Sequence, residues 1–371
     1  MEGFTDLPTG RKPGPLTLVI MDGIGYREGA EGNAVANAFA ANLYWLLRNC
    51  PHTLLRAHGK AVGLPSDDDM GNSEVGHNAF GAGRLFPQGA LLVNEAIDSG
   101  RLFSGKGWRA LVDYVREHAG TMHFLGLLSD GNVHSHIDQL EKMLEHLAAA
   151  DKVPKAGIHI LLDGRDVPET SALVYVDRLE SLLQKLNSGY GVDYRIASGG
   201  GRQQDTMDRY EADWRIVERG WKTHVAGEGR AFRSAREAIE TLRAENPGVI
   251  DQDLPSFVIA DDSGKPVGPM RDGDSVIFFN FRGDRAIEMS RAFEEENFTH
   301  FNRVPYPHVR YAGLLEYDTE LHIPGLYLVE PPHIDHTIGE FLSKQGVRQL
   351  AISETQKFGH VTYFWNGNRS G

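Results

Sequence analysis

The chain has 371 residues, of which 41% are hydrophobic and 24% charged, values typical of a globular protein with two or three domains. Its 38 Lys and Arg residues and 51 Asp and Glu residues give a net charge of −13, which disfavours nucleic acids and membranes as partners. The single cysteine, Cys50, excludes an intrachain disulfide and a thiolate metal site and favours a cytoplasmic location. Residues 1–15 carry no signal-peptide pattern, and no apolar run is long enough to span a membrane.

Short apolar runs alternate with helical patterns along the chain. Strands are predicted at 16–21, 53–57, 122–128, 158–162, 194–197, 275–281 and 348–352. Helices are predicted at 36–47, 136–150 and 173–186, the second of them from apolar residues at spacings of three and four. This alternation is typical of an α/β fold with parallel strands, in which functional residues collect where the strands end.

Two polar motifs lie near the start of the chain. Asp22 follows the predicted strand at 16–21, where a carboxylate could bind a hard metal ion or simply form an Asp-Gly turn. Ser73 lies in the motif MGNSEVGH before a predicted helix, and its hydroxyl could cap the helix or act as a nucleophile. A metal ion held partly by Asp22 would activate the serine, which is a weak nucleophile by itself.

The next two motifs each follow a predicted strand. The motif SDGNVHSH contains His134 and His136, which could bind zinc or could cap or pack against the following helix. The motif LDGRDVP contains Arg165 and Asp166, a cation beside an anion that suits a phosphate and a hydroxyl group, with a surface turn as the alternative.

Pairs of arginines follow two further strands. Arg202 and Arg209 come after the strand at 194–197. Arg282 and Arg285 come after the strand at 275–281, and Lys357 is one more cation near the end of the chain. Arginine pairs bind phosphate and carboxylate through two parallel hydrogen bonds. Their position at strand ends in an acidic protein predicts an anion pocket.

Seven ordered motifs resemble those of one family. They are LVIMDGIG, MGNSEVGHNAFGAGR, LLSDGNVHSH, LLDGRDVP, GGGR with MDRY, FFNFRGDRA and ISETQKFGHVTYFWNG. Together they resemble the cofactor-independent (2,3-bisphosphoglycerate-independent) phosphoglycerate mutases of the alkaline phosphatase superfamily, over residues 16–371.

The resemblance implies an isomerase that interconverts 3-phosphoglycerate and 2-phosphoglycerate in glycolysis and gluconeogenesis through a phosphoserine intermediate. It implies two divalent metal ions (manganese, cobalt or magnesium), no need for 2,3-bisphosphoglycerate, and a monomer. It also implies two α/β domains. An alkaline-phosphatase-like parallel-sheet domain would comprise residues 1–86 and 319–371, with an inserted transferase domain at 87–318 that holds the substrate.

The resemblance assigns roles to individual residues. Asp22 and Ser73 are similar to metal ligands, and Ser73 is also similar to the phosphorylated nucleophile. Lys357 resembles the lysine that stabilises the phosphoryl group during transfer. The residues that resemble substrate ligands are His134, Arg165, Asp166, Arg202, Arg209, Arg282, Arg285 and Lys357.

One departure from the family pattern is expected to matter. The family's remaining Asp and His metal ligands follow the segment FWNG, whereas this sequence ends at Gly371. Two residues cannot hold two hard ions, which take about six ligands each. We therefore expect the sequence to be a piece of a longer protein. The alternative to a piece is a truncated form that binds metal poorly and is inactive. Besides a mutase, the alternative functions are another metal-dependent phosphohydrolase or phosphosugar mutase of the superfamily, and a noncatalytic fragment that binds phosphorylated metabolites.

Overall fold

The structure is a computed structural model that describes residues 14–87, 89–319, 321–330 and 334–369. It divides into two units, Met1–Arg56 and Ala57–Gly371. Most of the segment examined for a signal peptide, residues 1–13, and the last two residues lie outside the described residues. No helix in the described part of the chain is long and apolar enough to cross a membrane.

The described part of the first unit contains two helices, α1 (Ala34–Asn37) and α2 (Ala41–Asn49). Asn33 begins α1, because its side-chain oxygen accepts a hydrogen bond from the amide of Ala36 at 3.0 Å. The strand predicted at 16–21 is wrong. The segment has no hydrogen-bonded neighbour strand among the described residues, and Leu16 is 98% exposed.

The second unit contains a seven-stranded sheet in the order β4-β5-β3-β2-β1-β6-β7. Its strands are β1 (Met122–Leu128), β2 (Lys155–Leu162), β3 (Asp193–Gly201), β4 (Arg230–Phe232), β5 (Phe257–Ile259), β6 (Ser275–Phe278) and β7 (Arg310–Gly313). All pairs are parallel except β3 with β5. The α/β fold class with a parallel sheet is therefore confirmed.

Eleven helices accompany the sheet in the described part of the second unit. They are α3 (Ser73–Ala82), α4 (Gly89–Asp98), α5 (Arg101–Ser104), α6 (Lys106–His118), α7 (Ile137–His146), α8 (Ala172–Tyr190), α9 (Trp214–Gly220), α10 (Ala235–Glu245), α11 (Ile287–Glu294), α12 (Ile338–Lys344) and α13 (Phe358–Val361). Single 3₁₀ turns occur at Gly59–Val62, Asp251–Asp253, Gly283–Arg285, Thr355–Lys357 and Phe364–Asn366, and π turns at Leu147–Asp151 and Trp221–Val225.

The apolar runs predicted the central strands well, because β1 is buried along its whole length as a strand covered on both faces. The helix predicted at 136–150 is also confirmed: Ile137, Leu140 and Leu144 of α7 are fully buried. The strands predicted at 53–57 and 348–352 are wrong. Both segments lack a paired neighbour among the described residues, and Leu350 is 85% exposed. The predicted domain boundaries stay a prediction.

A chain of hydrogen-bonded polar side chains crosses the buried sheet. In spatial order it contains Asp274, His123, His159, Ser198, His224 and Asp205, and its five links measure 3.1, 2.9, 2.7, 2.7 and 3.2 Å. Three neutral imidazoles and one hydroxyl supply four protons for these five hydrogen bonds. If both carboxylates are ionised, one ring must therefore carry a second proton.

Candidate functional site

A cleft of about 200 Å³ lies where the neighbouring strands β3, β2, β1 and β6 end. It is lined by Met70, Gly71, Asn72, Val133, His134, Arg165, Asp166, Arg202, Arg209, Arg282, Asp284 and Arg285. Parallel strands place their carboxyl ends at one edge of the sheet, so loops that are distant in sequence meet there. The cleft therefore brings together seven of the eight predicted substrate ligands, all except Lys357. Their roles as ligands stay predictions.

Arg202 lies at the centre of the cleft wall. Its side chain follows β3 and is 1% exposed. One guanidinium nitrogen donates to Asp163 at 3.0 Å and also to Asp166, while another is hydrogen-bonded to His134 Nε2 at 2.7 Å. Such a buried cation is tolerated because it is paired with two carboxylates. The pairing fixes the positions of Asp166 and His134 in the cleft.

Asp163 was not predicted as a site residue, yet it organises this wall. One of its oxygens accepts a hydrogen bond from Arg202. The same oxygen accepts hydrogen bonds from the backbone amides of Arg165 and Asp166, both at 3.1 Å. Its other oxygen accepts from the Ser129 hydroxyl at 2.6 Å. A buried carboxylate that accepts four hydrogen bonds holds the loop after β2 in one conformation. Its position directly after a buried strand was the available sequence signal.

His134 is buried and neutral. Burial and then the positive charge of Arg202 hold the pKa of this imidazole well below its ordinary value. Because Nε2 accepts the hydrogen bond from Arg202, the ring proton lies on Nδ1, 4.0 Å from an oxygen of Asp284. Nδ1 is a buried donor with no hydrogen-bond partner among the described residues.

The other histidine of the motif does not share this site. His136 lies at the start of α7, and its Nδ1 accepts a hydrogen bond from the amide of Asp138 at 3.2 Å. The capping alternative is therefore correct for His136, and a zinc site formed by the two histidines is not supported.

Asp284 is a second carboxylate that the sequence motifs did not single out. It is buried, and its oxygens lie 3.1 Å from Arg282 Nε and 3.3 Å from Arg209 Nε. Arg282 also lies 3.3 Å from Glu74, and burial raises the pKa of Glu74 to about 7. Asp284 thus holds two arginines toward the cleft, and it lies within RGD, which resembles an ordinary surface turn in sequence.

Several buried polar atoms of the cleft make no hydrogen bond to any described residue. They are His134 Nδ1, Arg202 Nε, Arg209 Nε, Arg282 Nε and Asp284 Oδ1. Three of them lie in ion pairs that lack hydrogen-bond geometry, because Arg282 Nε is 3.1 Å and Arg209 Nε 3.3 Å from oxygens of Asp284. Buried polar atoms are normally satisfied, and a cluster of exceptions is typical of a site that is completed by a ligand. Because three of the five atoms belong to guanidinium groups, the chemistry favours an anion with several oxygens.

Ser73 is the first residue of α3, beside the cleft-lining Gly71 and Asn72. The cap of this helix is Asn72, whose side-chain oxygen accepts from the amide of Val75 at 3.1 Å, so Ser73 is not the cap. Instead, the Lys357 ammonium donates to the Ser73 hydroxyl oxygen at 2.8 Å. The structure therefore joins two predicted catalytic residues that are 284 positions apart.

Two histidines lie behind Ser73. His77 Nδ1 is 2.7 Å from the backbone oxygen of Ser73, and its ring lies edge-on to the ring of His360. Burial, with the neighbouring Lys357 charge, lowers the pKa of His360 to about 4. His360 is therefore neutral at pH 7, whereas the Lys357 ammonium is hydrogen-bonded to Ser73.

A complete metal site is not formed by the described residues. Across residues 14–87, 89–319, 321–330 and 334–369, no three His, Cys, Asp or Glu side chains come together as a possible metal-binding group. Asp22 lies in the first unit and Ser73 in the second. The described side chains do not fit a pair of divalent ions, and the roles of Asp22 and Ser73 as metal ligands stay predictions.

Residues 93–319 match the protein family described as BPG-independent PGAM N-terminus. The chain is 58% identical over 358 residues to a Leptospira interrogans protein named probable 2,3-bisphosphoglycerate-independent phosphoglycerate mutase, with 96% of this chain and 65% of that protein covered. It is 54% identical over 357 residues to the 2,3-bisphosphoglycerate-independent phosphoglycerate mutase of Trypanosoma brucei brucei, with 96% and 64% covered.

A crystal structure of Leishmania mexicana phosphoglycerate mutase at low cobalt concentration is similar to this chain with a TM-score of 0.87 and 52% sequence identity. The similarity covers 90% of this chain and 61% of that one. The chain therefore spans less than two thirds of the length of each of these three relatives.

Proposed function

Because the chain belongs to the family of 2,3-bisphosphoglycerate-independent phosphoglycerate mutases, we propose that it interconverts 3-phosphoglycerate and 2-phosphoglycerate through a phosphoserine at Ser73. The observation that carries the proposal is the contact between Lys357 and Ser73 beside a cleft lined by five arginines. The reaction would serve glycolysis and gluconeogenesis, and the names of the relatives indicate that it needs no 2,3-bisphosphoglycerate.

Substrate binding follows from the charges of the cleft. Phosphoglycerate carries a carboxylate and a phosphate, while the protein as a whole carries a charge of −13 that repels anions. The cleft provides local compensation through five arginines, namely Arg165, Arg202, Arg209, Arg282 and Arg285. Bidentate hydrogen bonds from these side chains would hold both anionic groups and fix the orientation of the glycerate.

Phosphoryl transfer starts from the Ser73 hydroxyl. Attack of its oxygen on phosphorus forms a Ser–O–P bond and breaks the bond between phosphorus and the glycerate oxygen. The serine loses one proton and the departing glycerate oxygen gains one, so the half-reaction is balanced. Lys357 and the positive amino end of the α3 dipole stabilise the negative charge on the transferred group.

Return of the phosphoryl group to the other glycerate hydroxyl completes the isomerisation. Glycerate must stay bound between the two steps, since escape would leave a phosphoenzyme that only water can resolve. His134 and Asp166, both fixed by Arg202, offer a hydrogen-bond donor and an acceptor for the glycerate hydroxyls. Retention by this wall favours a mutase over a phosphohydrolase.

The proposal extends to organisation and cofactors. Residues 87–318 would form the inserted substrate domain, which agrees with the family match at 93–319. Divalent ions such as manganese, cobalt or magnesium belong to the proposal because the Leishmania mexicana structure was determined with cobalt. A monomer in the cytosol is proposed from the sequence.

Phosphorus NMR tests the proposal directly. We expect 3-phosphoglycerate incubated with the protein and manganese or cobalt, without 2,3-bisphosphoglycerate, to give 2-phosphoglycerate. Ser73→Ala should abolish conversion and phosphoprotein formation. Ser181→Ala is the matched control, because this α8 hydroxyl bonds only to the Asp177 carbonyl in the described structure. Release of inorganic phosphate alone would favour a phosphohydrolase, and wild-type turnover by Ser73→Ala would exclude the assigned nucleophile.

A further inference from the structure

The loop that carries Arg209 has an unusual backbone. Thr206, Tyr210 and Glu211 have φ values of 65°, 59° and 56°, in the left-handed region that side chains other than glycine rarely adopt. Each such residue is strained relative to ordinary backbone. This conformation therefore has to be imposed by contacts with the rest of the protein.

Two neighbours on one side of the loop supply these contacts. Arg285 donates from Nη1 to the carbonyl oxygen of Met207 at 2.6 Å. Glu288, in α11, accepts the amide hydrogen of Glu211 on Oε1 at 2.9 Å. The loop is thus tied at one point to an arginine of the cleft and at another to a carboxyl group in the next helix.

Glu288 is an unusual carboxyl group to hold a loop. Its side chain is 4% exposed, and Oε2 is buried and accepts no hydrogen bond from the described residues. Burial raises the pKa of Glu288 to about 8, the Glu211 amide opposes this shift, and the neighbouring Asp208 carboxyl adds to it. Asp208 itself accepts the amide hydrogen of Asp213 at 2.7 Å.

The other charged groups of the surrounding elements do not neutralise an ionised Glu288. Glu211 adds a negative charge from the loop, and it is paired at 2.5 Å with Arg291 of α11. The Arg285 guanidinium is hydrogen-bonded to the carbonyl of Met207. An ionised Glu288 would therefore place a second negative charge beside the carboxyl group of Asp208 in a buried space.

We propose that protonated Glu288 is a positioning residue that holds the loop 206–211, and with it Arg209, in the conformation that binds phosphoglycerate. This inference rests on the proposed function. Neutral Glu288 accepts the Glu211 amide and donates its own proton toward Asp208. Loss of that proton places two carboxylates side by side, and the loop moves away together with Arg209.

The inference predicts weaker substrate binding in alkaline solution. A phosphate ester has its second pKa near 6, so the substrate carries the same charge at pH 7 and pH 9. Burial lowers the pKa of Arg285 to about 10, which keeps this arginine mostly charged at pH 9. Glu74, beside Arg282, also ionises near pH 7. The Glu288→Gln variant therefore has to isolate the part of the pH dependence that comes from Glu288.

Isothermal titration calorimetry with 3-phosphoglycerate provides the test. For the wild-type chain we expect an affinity about fivefold lower at pH 9 than at pH 7, because a Glu288 pKa of about 8 that rises by one unit on binding is only partly titrated in the complex at pH 9. Glu288→Gln keeps an acceptor for Glu211 and a donor for Asp208 but cannot ionise, so its affinity should fall less over this interval than that of the wild type.

The chain offers a matched control in the same helix. Glu294 is also in α11, burial raises its pKa to about 7, and it accepts hydrogen bonds from the amide of Gly325 rather than from the loop. Glu294→Gln should therefore keep the wild-type pH dependence of binding.

Hydrogen–deuterium exchange gives a second readout that needs no ligand. After correction for the intrinsic effect of pH, a peptide spanning residues 204–213 should lose protection between pH 7 and pH 9 in the wild type and not in Glu288→Gln. Equal pH dependence in both proteins would overturn the inference alone. Absence of wild-type binding at pH 7 would overturn the proposed substrate and the inference with it.

Discussion

Two buried polar networks lie in the second unit, and they differ in how completely they are satisfied. The histidine chain of the sheet pairs both ring nitrogens of His123, His159 and His224. The cleft at the strand ends instead leaves five buried polar atoms without a hydrogen bond to any described residue. A polar network whose hydrogen bonds are all made stabilises the fold, whereas donors and acceptors that are left unsatisfied can hydrogen-bond a ligand. The comparison indicates that the histidine chain serves stability, whereas the polar residues of the cleft serve ligand binding.

Arg202→Met should have the largest effect on 3-phosphoglycerate binding, because Arg202 belongs to the cleft network that a ligand would complete. The substitution leaves Asp163 buried without its cation and removes one of the five cleft arginines. We expect about a hundredfold loss of 3-phosphoglycerate affinity by calorimetry and a loss of about 3–5 kcal/mol in the free energy of unfolding.

Arg195→Met is the control for this change. Arg195 lies on β3, the strand that Arg202 directly follows, but it is half-exposed and paired with Asp193 at the surface. It should leave both the affinity and the stability unchanged. An Arg202→Met protein with wild-type affinity would remove the basis for assigning ligand binding to the cleft.

His159→Leu should lower the stability of the protein without lowering its affinity for phosphoglycerate. The substitution breaks the histidine chain in the middle and leaves His123 and Ser198 each without one partner. Chemical denaturation should show a loss of about 2–4 kcal/mol. Phosphoglycerate affinity at pH 7 should not change, and a parallel loss of affinity would show that the two networks are coupled.

The loss of unfolding free energy caused by His159→Leu should also depend on pH. Burial, with the neighbouring His123 and His224, holds the pKa of His159 well below 6.5, so the unfolded chain takes up a proton here before the folded protein does. Stability from this group is present above pH 6.5 and is lost as the pH falls. The difference between wild type and variant should shrink by about 1.4 kcal/mol per pH unit below 6.5. A constant difference from pH 7 to pH 5 would contradict a neutral His159.

Tyr210→Phe should have the smallest effect. The Tyr210 hydroxyl accepts an exposed hydrogen bond from Arg209 Nη2 at 3.0 Å. Its removal should weaken phosphoglycerate binding about threefold, as is usual for one partly solvated hydrogen bond. A loss as large as that of Arg202→Met would show that Tyr210 contacts the ligand itself.

The sequence predicted the central sheet because its strands are continuous apolar runs. The family resemblance marked seven residues as substrate ligands that the structure brings together in the cleft, and their roles stay predictions. The sequence did not predict Asp163 or Asp284, since a carboxylate beside glycine looks like a turn until its burial is known. The histidine chain was also missed. His123 and His159 meet only through the register of β1 and β2, which the sequence of either strand does not encode.

The strands predicted at 16–21, 53–57 and 348–352 are features that the sequence predicted but the structure does not contain. Apolar residues with β propensity favour extended backbone, and these segments are indeed extended or irregular in the structure. Membership of a sheet additionally requires a neighbouring strand, and none lies beside them among the described residues. Propensity alone therefore could not decide whether these segments are paired.

A crystal structure with 3-phosphoglycerate would test most directly whether the unsatisfied atoms of the cleft are the substrate site. We predict that ligand oxygens lie within hydrogen-bonding distance of His134 Nδ1, Arg209 Nε and Arg282 Nε. The adjacent cavity of about 300 Å³, which includes Leu64 and Tyr363, would remain free of ligand. Phosphoglycerate bound in that cavity, or bound without contact to those three nitrogens, would contradict the assignment.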